Sequence, residues 1–114
     1  MNKYFSHKKV CLSGHIHDSQ KEAGRCQELH LLLKAGEIDR LIIQPEFILQ
    51  GKFKWKRQMY REIKYIADFQ YFDKKTGKII VEDTKGYRTK EYMIKKKMFL
   101  FQYAYKMNLE FLES

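Results

Sequence analysis

Two aspartates define the chemistry open to this chain of 114 residues. Asp68 lies inside the apolar run Tyr65-Ile66-Ala67-Asp68-Phe69, where an unpaired carboxylate is costly, and Asp83-Thr84-Lys85 follows fifteen positions on. Side chains alternate along a strand, so Asp83 and Lys85 share a face, about 7 Å apart. If Lys74 to Gly77 form a loop and Asp73 pairs with Lys78, Asp68 falls opposite Asp83 and Ile66 opposite Lys85. Facing like charges destabilise a sheet by up to roughly 1 kcal/mol, and a divalent cation between them removes the repulsion. Hard oxygen donors with open water positions suit Mg²⁺ or Mn²⁺. On a phosphodiester such an ion polarises the phosphoryl oxygen and lowers the pKa of bound water. Lys85 would orient the attacking water and offset the developing charge. The plainer reading makes Asp83 a solvated strand-end residue in an ion pair, a pattern that charged chains produce by chance. Context favours the site, because Asp68 interrupts an apolar run and Asp83 follows Ile79-Ile80-Val81-Glu82. Glu82 then faces the other side of its strand, in a structural salt bridge.

The elements that must position these groups follow from periodicity. Val10-Cys11-Leu12 and His15-Ile16-His17 flank Ser13-Gly14 as a small hairpin. Ser19 and Glu22 read as a capping box opening a helix, with Ala23, Cys26, Leu29, Leu32 and Leu33 at helical spacing and Gly36 as its left-handed cap. Ile38 to Ile43 reads as an apolar connector, Pro45 as the entry to an extended segment, and Glu46 to Leu49 as a strand. Lys52-Phe53-Lys54-Trp55-Lys56-Arg57 alternates charge and ring as a turn or edge strand. The clearest strand puts Ile63, Tyr65, Ala67, Phe69 and Tyr71 on one face. Its hairpin partner runs from Lys78 to Lys85 and ends at Gly86. A second helix is expected from Thr89 to Met107, with Ile94, Met98, Phe101 and Tyr105 as its apolar stripe, then a last short strand from Asn108 to Leu112. The order is helix, three strands, helix, strand: an α/β chain with a mixed sheet flanked by helices, in one domain spanning residues 1–114.

Composition narrows the partner. Lys and Arg number 23 against 14 Asp and Glu, a formal charge of +9, and such a field attracts polyanions, DNA above all. Lys52, Lys54, Lys56 and Arg57, with Trp55 between them, would track a phosphate backbone and stack an unpaired base. Arg88, Lys90, Lys95, Lys96 and Lys97 cluster after the acid-bearing strand, where a helix N-terminus also favours phosphate. The plain alternative for each run is a solvated face. Two cysteines supply no disulfide framework. Cys11, His15, His17, Cys26 and His30 lack the paired knuckle of a zinc site, and no serine or cysteine has a nucleophile elbow. Without a membrane-length apolar run or a signal-like N-terminus, the expected location is the cytoplasm.

These residues carry a resemblance. Asp18-Ser19-Gln20-Lys21-Glu22-Ala23, Leu33-Lys34-Ala35-Gly36-Glu37-Ile38, Gln44-Pro45, Tyr65-Ile66-Ala67-Asp68-Phe69 and Val81-Glu82-Asp83-Thr84-Lys85-Gly86 resemble a phage-encoded family of small proteins without assigned function, grouped with the PD-(D/E)XK nucleases. That superfamily includes restriction enzymes, Holliday junction resolvases and transposon-end nucleases. The resemblance implies a restriction-endonuclease-like α-β-β-β-α-β core. It maps the first-motif acid to Asp68, the acid-x-lysine to Asp83 and Lys85, and a helix-borne metal ligand to Glu22, which competes with the capping-box role of the same residue. Ala67 stands where the motif has proline.

The expected function is therefore a Mg²⁺-dependent DNA endonuclease acting on branched or structured DNA, resembling a Holliday junction resolvase in phage recombination or replication. Asp68 and Asp83 would bind the ion with the Thr84 carbonyl and Glu22, with no small-molecule cofactor, and a homodimer would present two sites to two strands. The rival from another class is a catalytically silent nuclease-fold protein that binds DNA or another protein. A weaker third is a regulator that titrates a host factor.

Overall fold

In chain order the elements are β1 (Lys9–Val10), β2 (Ile16–His17), α1 (Gln20–Lys34), β3 (Ile38–Ile43), β4 (Glu46–Gln50) and β5 (Phe53–Trp55). There follow β6 (Gln58–Tyr60), β7 (Ile63–Ile66), β8 (Phe69–Asp73), β9 (Lys78–Asp83), α2 (Lys90–Phe99) and β10 (Glu110–Glu113). They come from a computed structural model that describes residues 9–10, 16–17, 20–84 and 87–114. β1 and β2 pair antiparallel as the expected hairpin, while Ser13-Gly14 lies outside the described residues. Ser19, the other half of the capping box, also lies outside them.

Helix α1 buries Ala23, Cys26 and Leu29 at the expected spacing and stops at Gly36, whose φ of 80° is a conformation glycine adopts freely. Ile38 to Ile43 is a strand and not a connector. Its alternation is broken by a bulge between Asp39 and Ile42, with Arg40 at φ 52°, and that break hides the strand in the sequence.

A single hairpin from Ile38 to Asp73 organises the rest. β3 pairs with β8 from Ile38↔Asp73 to Ile43↔Phe69. The pairing crosses a bend through Gln44 N–H to the Asp68 carbonyl (2.8 Å) and Ala67 N–H to the Pro45 carbonyl (3.1 Å). It continues as β4 with β7 from Glu46↔Ile66, and as β5 with β6, closing on Lys56-Arg57. The strand expected to run unbroken through Ile63 and Tyr71 is thus split at Ala67-Asp68. Only β3 and β8 enter the main sheet, ordered β10-β9-β8-β3, with β8 antiparallel to β9 and β9 parallel to β10. The two residues of the turn, Lys56 and Arg57, have φ of 48° and 68°. That matches the twist of a two-residue hairpin, but each left-handed non-glycine costs roughly 1 kcal/mol.

Two cores cover the two faces of the sheet. α1 packs Ala23, Cys26 and Leu29 on Ile38, Phe69, Tyr71 and Ile80. The second helix packs Tyr92 and Phe99 on Phe47, Leu49, Tyr65, Ala67 and Val81. Thr89 caps α2 by accepting from Tyr92 N–H at 3.0 Å. The inward stripe differs from the expected one, because Ile94, Phe101 and Tyr105 are exposed. A π-helical turn over Leu100–Tyr105 shifts the side chains around the axis and defeats a 3.6-residue count. Among the described residues no helix is long and apolar enough to cross a membrane.

Candidate active site

The four-residue loop Lys74–Gly77 sets Asp73 against Lys78, and the ladder runs back without a bulge to Phe69↔Glu82. Asp68 stands just before β8 and Asp83 ends β9, so both acids lie next to the Phe69↔Glu82 pair, and Asp68 N–H donates to the Glu82 carbonyl at 3.1 Å, one residue off that register. Both are buried, at 9% and 0% exposure.

Neutral donors orient the two carboxylates. Asp68 Oδ2 accepts from the Thr84 N–H and the Thr84 hydroxyl, both at 2.7 Å. Thr84, read from the sequence as a carbonyl ligand, thus contributes its two donors to Asp68. Asp83 Oδ2 accepts from the Tyr65 hydroxyl. Burial first, and then this bond to Asp83, push the Tyr65 phenol well above its ordinary value, so it remains a donor throughout the physiological range. No motif in the sequence marks Tyr65 as a partner of Asp83. Its place on the same strand face as Ala67 was the available signal.

The neighbouring acids are held differently. Glu82 projects from the opposite face of β9 toward α1, where Arg25 Nε and Nη2 clasp it at 2.9 and 2.6 Å and the Tyr71 hydroxyl donates to it. That bidentate pair is the structural salt bridge expected of Glu82. The Glu82 hydrogen bond drives Arg25 further above its ordinary value, against the opposing effect of burial. Glu113, beside Asp83 across the parallel pair, receives Lys96 at 2.7 Å, Arg88 at 3.1 Å and the Tyr92 hydroxyl. Desolvation would raise its pKa, but Lys96, Tyr92 and Arg88 together hold it down to about 2.

These contacts redistribute the residues read from the sequence. Glu22 is buried in the first turn of α1. Among the described residues no three His, Cys, Asp or Glu side chains are grouped to hold one metal ion. Cys26 and His30 interact along one helix, Sγ to Nδ1 at 3.6 Å. Lys85 lies outside the described residues. Of the second basic set, Arg88 and Lys96 clasp Glu113 and Lys95 pairs with Glu91 at 3.1 Å, while Lys90 is exposed. Lys52, Lys54, Trp55, Lys56 and Arg57 are all exposed, on the far half of the long hairpin.

The donor pair suits a hard divalent ion, since Mg²⁺ typically takes one or two carboxylates and keeps several waters. A cavity of about 440 Å³ between the start of α1 and the ends of β9 and β10 reaches Thr84, with Lys21, Arg25 and Ser114 among its walls. An α/β fold with a mixed sheet, two helices and two buried aspartates at adjacent strand ends is the class these observations define. The chain belongs to the family described as protein of unknown function, DUF1064, whose model matches residues 1–112. Neither the curated proteins nor the solved structures contain a match to it.

Proposed function

We propose that the protein is a metal-dependent DNA endonuclease of the PD-(D/E)XK type, acting on branched or structured DNA in phage recombination or replication. The observation that carries the reading is the two acids Asp68 and Asp83, buried at adjacent strand ends and oriented by Thr84 and Tyr65. Glu82 and Glu113 are instead clasped by Arg25, Arg88 and Lys96. The order of α1, β3, β8, β9, α2 and β10 around the main sheet agrees with a restriction-endonuclease-like core carrying an inserted ribbon.

In this reading Asp68 and Asp83 would hold Mg²⁺ or Mn²⁺. The ion would supply Lewis-acid polarisation of the scissile phosphate. Tyr65 and Thr84 fix the rotamers of the carboxylates. Lys85 positions the attacking water, and two copies of the chain act on two strands of a junction.

The test is incubation of the protein with supercoiled, linear, single-stranded and four-way-junction DNA, with Mg²⁺ or Mn²⁺ and with a chelator. Junction cleavage that the chelator stops, and that Lys85→Ala abolishes, supports the reading. Absence of cleavage on every substrate while DNA binding persists overturns it in favour of a silent binding protein.

A further inference from the structure

The acid pair leaves the far half of the long hairpin without a use. Residues 51–62, Gly51-Lys52-Phe53-Lys54-Trp55-Lys56-Arg57-Gln58-Met59-Tyr60-Arg61-Glu62, are exposed throughout, and five of them are Lys or Arg against one Glu. A solvent-exposed two-stranded ribbon is marginal by itself, yet this one displays Phe53 at 42%, Trp55 at 57% and Tyr60 at 39% exposure.

The pairing sorts these residues by face. Phe53↔Tyr60 and Trp55↔Gln58 project on one side and Lys54↔Met59 on the other, because cross-strand partners share a face and neighbours alternate. One side is therefore aromatic. Phe53 and Tyr60 stack nearly parallel, 4.9 Å apart at 11°, and Trp55 stands next along the same side with Lys56 Nζ 4.7 Å from its ring centre. The tip adds Lys56 and Arg57, held in left-handed backbone positions that asparagine and glycine would fill with less strain.

Lysines on an exposed edge do discourage stray strand pairing. That accounts for Lys52 and Lys54. It does not account for three exposed rings on one side, nor for two cations placed where they strain the turn. Charge complementarity selects a polyanion, and planar rings offering a free face select one that carries planar groups. In a duplex the faces of the bases are covered by their neighbours. In an unpaired strand they are open.

We infer that residues 51–62 form an arm that binds unpaired nucleic acid, bases stacking on Phe53, Trp55 and Tyr60. Lys56 and Arg57 hold the phosphates at the tip. Lys52, Lys54 and Arg61 reach round a ribbon only about 5 Å wide to the same backbone. The arm acts without metal and without cleavage, so it stands apart from the nuclease reading. Joined to that reading, it would make the preferred substrate a duplex with an adjoining single-stranded segment.

Trp55 is the single tryptophan, so its emission reports on the arm alone. The full chain is titrated in excess chelator with a twelve-nucleotide oligothymidylate, with a twelve-base-pair duplex, and with vesicles of phosphatidylglycerol and phosphatidylcholine. Charge alone favours the duplex, which carries twice the phosphates. The arm instead predicts saturable quenching by the single strand, at a Kd at least about tenfold below that for the duplex, since each stacked base contributes a factor of roughly five or more. By anisotropy of a labelled oligothymidylate, Trp55→Ala weakens binding about tenfold. The double variant Lys56→Asn, Arg57→Gly lowers the slope of log K against log salt by about 1.4. Circular dichroism checks that both variants keep the body folded. Tighter duplex binding with unchanged Trp55 emission, a blue shift on vesicles but not on the oligonucleotide, or wild-type affinity in both variants would overturn the inference.

Discussion

The hairpin from Ile38 to Asp73 has two halves with opposite chemistry. The half inside the sheet ends beside buried acids, with Asp68, Asp83 and Glu82 each hydrogen-bonded and little exposed. The outer half carries exposed cations and half-exposed rings. Burial makes the placement of an anion expensive and therefore specific, while exposure makes a cation inexpensive and long-ranged. The same two strands thus lead to buried, oriented carboxylates at one end and an exposed basic, aromatic ribbon at the other.

The largest effect that separates the halves is expected from Asp83→Asn. The amide keeps the volume and an acceptor for Tyr65 but loses the charge. In the nuclease reading, cleavage falls by about a thousandfold, on the scale of removing a group that stabilises developing charge, while oligothymidylate affinity stays within about twofold. If cleavage survives, the acid half has no catalytic part in the comparison.

Within the acid half, the two ways of holding a carboxylate can themselves be tested. Arg25→Met leaves Glu82 buried without its guanidinium, and removing one partner of a buried pair typically costs about 3–5 kcal/mol. Arg25 is partly exposed at its outer side, so about 2–3 kcal/mol is expected, a fall in Tm of roughly 10 °C. Differential scanning calorimetry reads it. A shift under about 2 °C would mean that Tyr71 alone satisfies Glu82.

Much of this arrangement is legible in the chain before any coordinates. The span Asp73-Lys74-Lys75-Thr76-Gly77 fixes a loop length, the loop sets Asp73 against Lys78, and that register runs back to Phe69 opposite Glu82, beside Asp68 and Asp83. Arg25 as the partner of Glu82 is not legible, because 57 residues separate them and only packing of α1 on the sheet brings them together. Ile38 to Ile43 is obscured by the bulge at Arg40, which breaks the period-two signal. The outer ribbon is obscured for another reason. With no buried face, its alternation of Lys and ring records no core, and it reads equally as turn or strand. In the second helix the π-helical turn moves Tyr103 inward and Phe101 outward, so counting by 3.6 chooses the wrong stripe.

A smaller effect is expected with pH, at an acid on β10 beside the buried carboxylates. Glu113 is held near 2 in the folded protein against an ordinary value near 4.5. A lowered folded pKa contributes stability that is complete above the unfolded value and is lost as pH falls from about 4.5 through 2. Urea midpoints across that window are expected to fall for the wild type. Glu113→Gln is less stable at pH 7, and its profile falls less steeply through the window. Identical slopes in the two proteins would move the acid sensitivity to another carboxylate.

The smallest expected change lies at the ribbon tip, and there stability and binding should move in opposite directions. Replacing Lys56-Arg57 with Asn-Gly supplies residues that occupy two positive-φ positions with less strain, a gain of about 1 kcal/mol. The outer ribbon is free to open without unfolding the body, so the gain should appear locally and not in Tm. Amide exchange of Phe53 to Tyr60 is expected to slow about fivefold. Oligothymidylate affinity falls over the same exchange, because the two tip cations are lost. If Lys56 and Arg57 served only to keep the exposed edge from pairing, the first change would occur without the second. A ribbon that gains order while losing its ligand would instead mean that the strained turn is retained for the charges it carries.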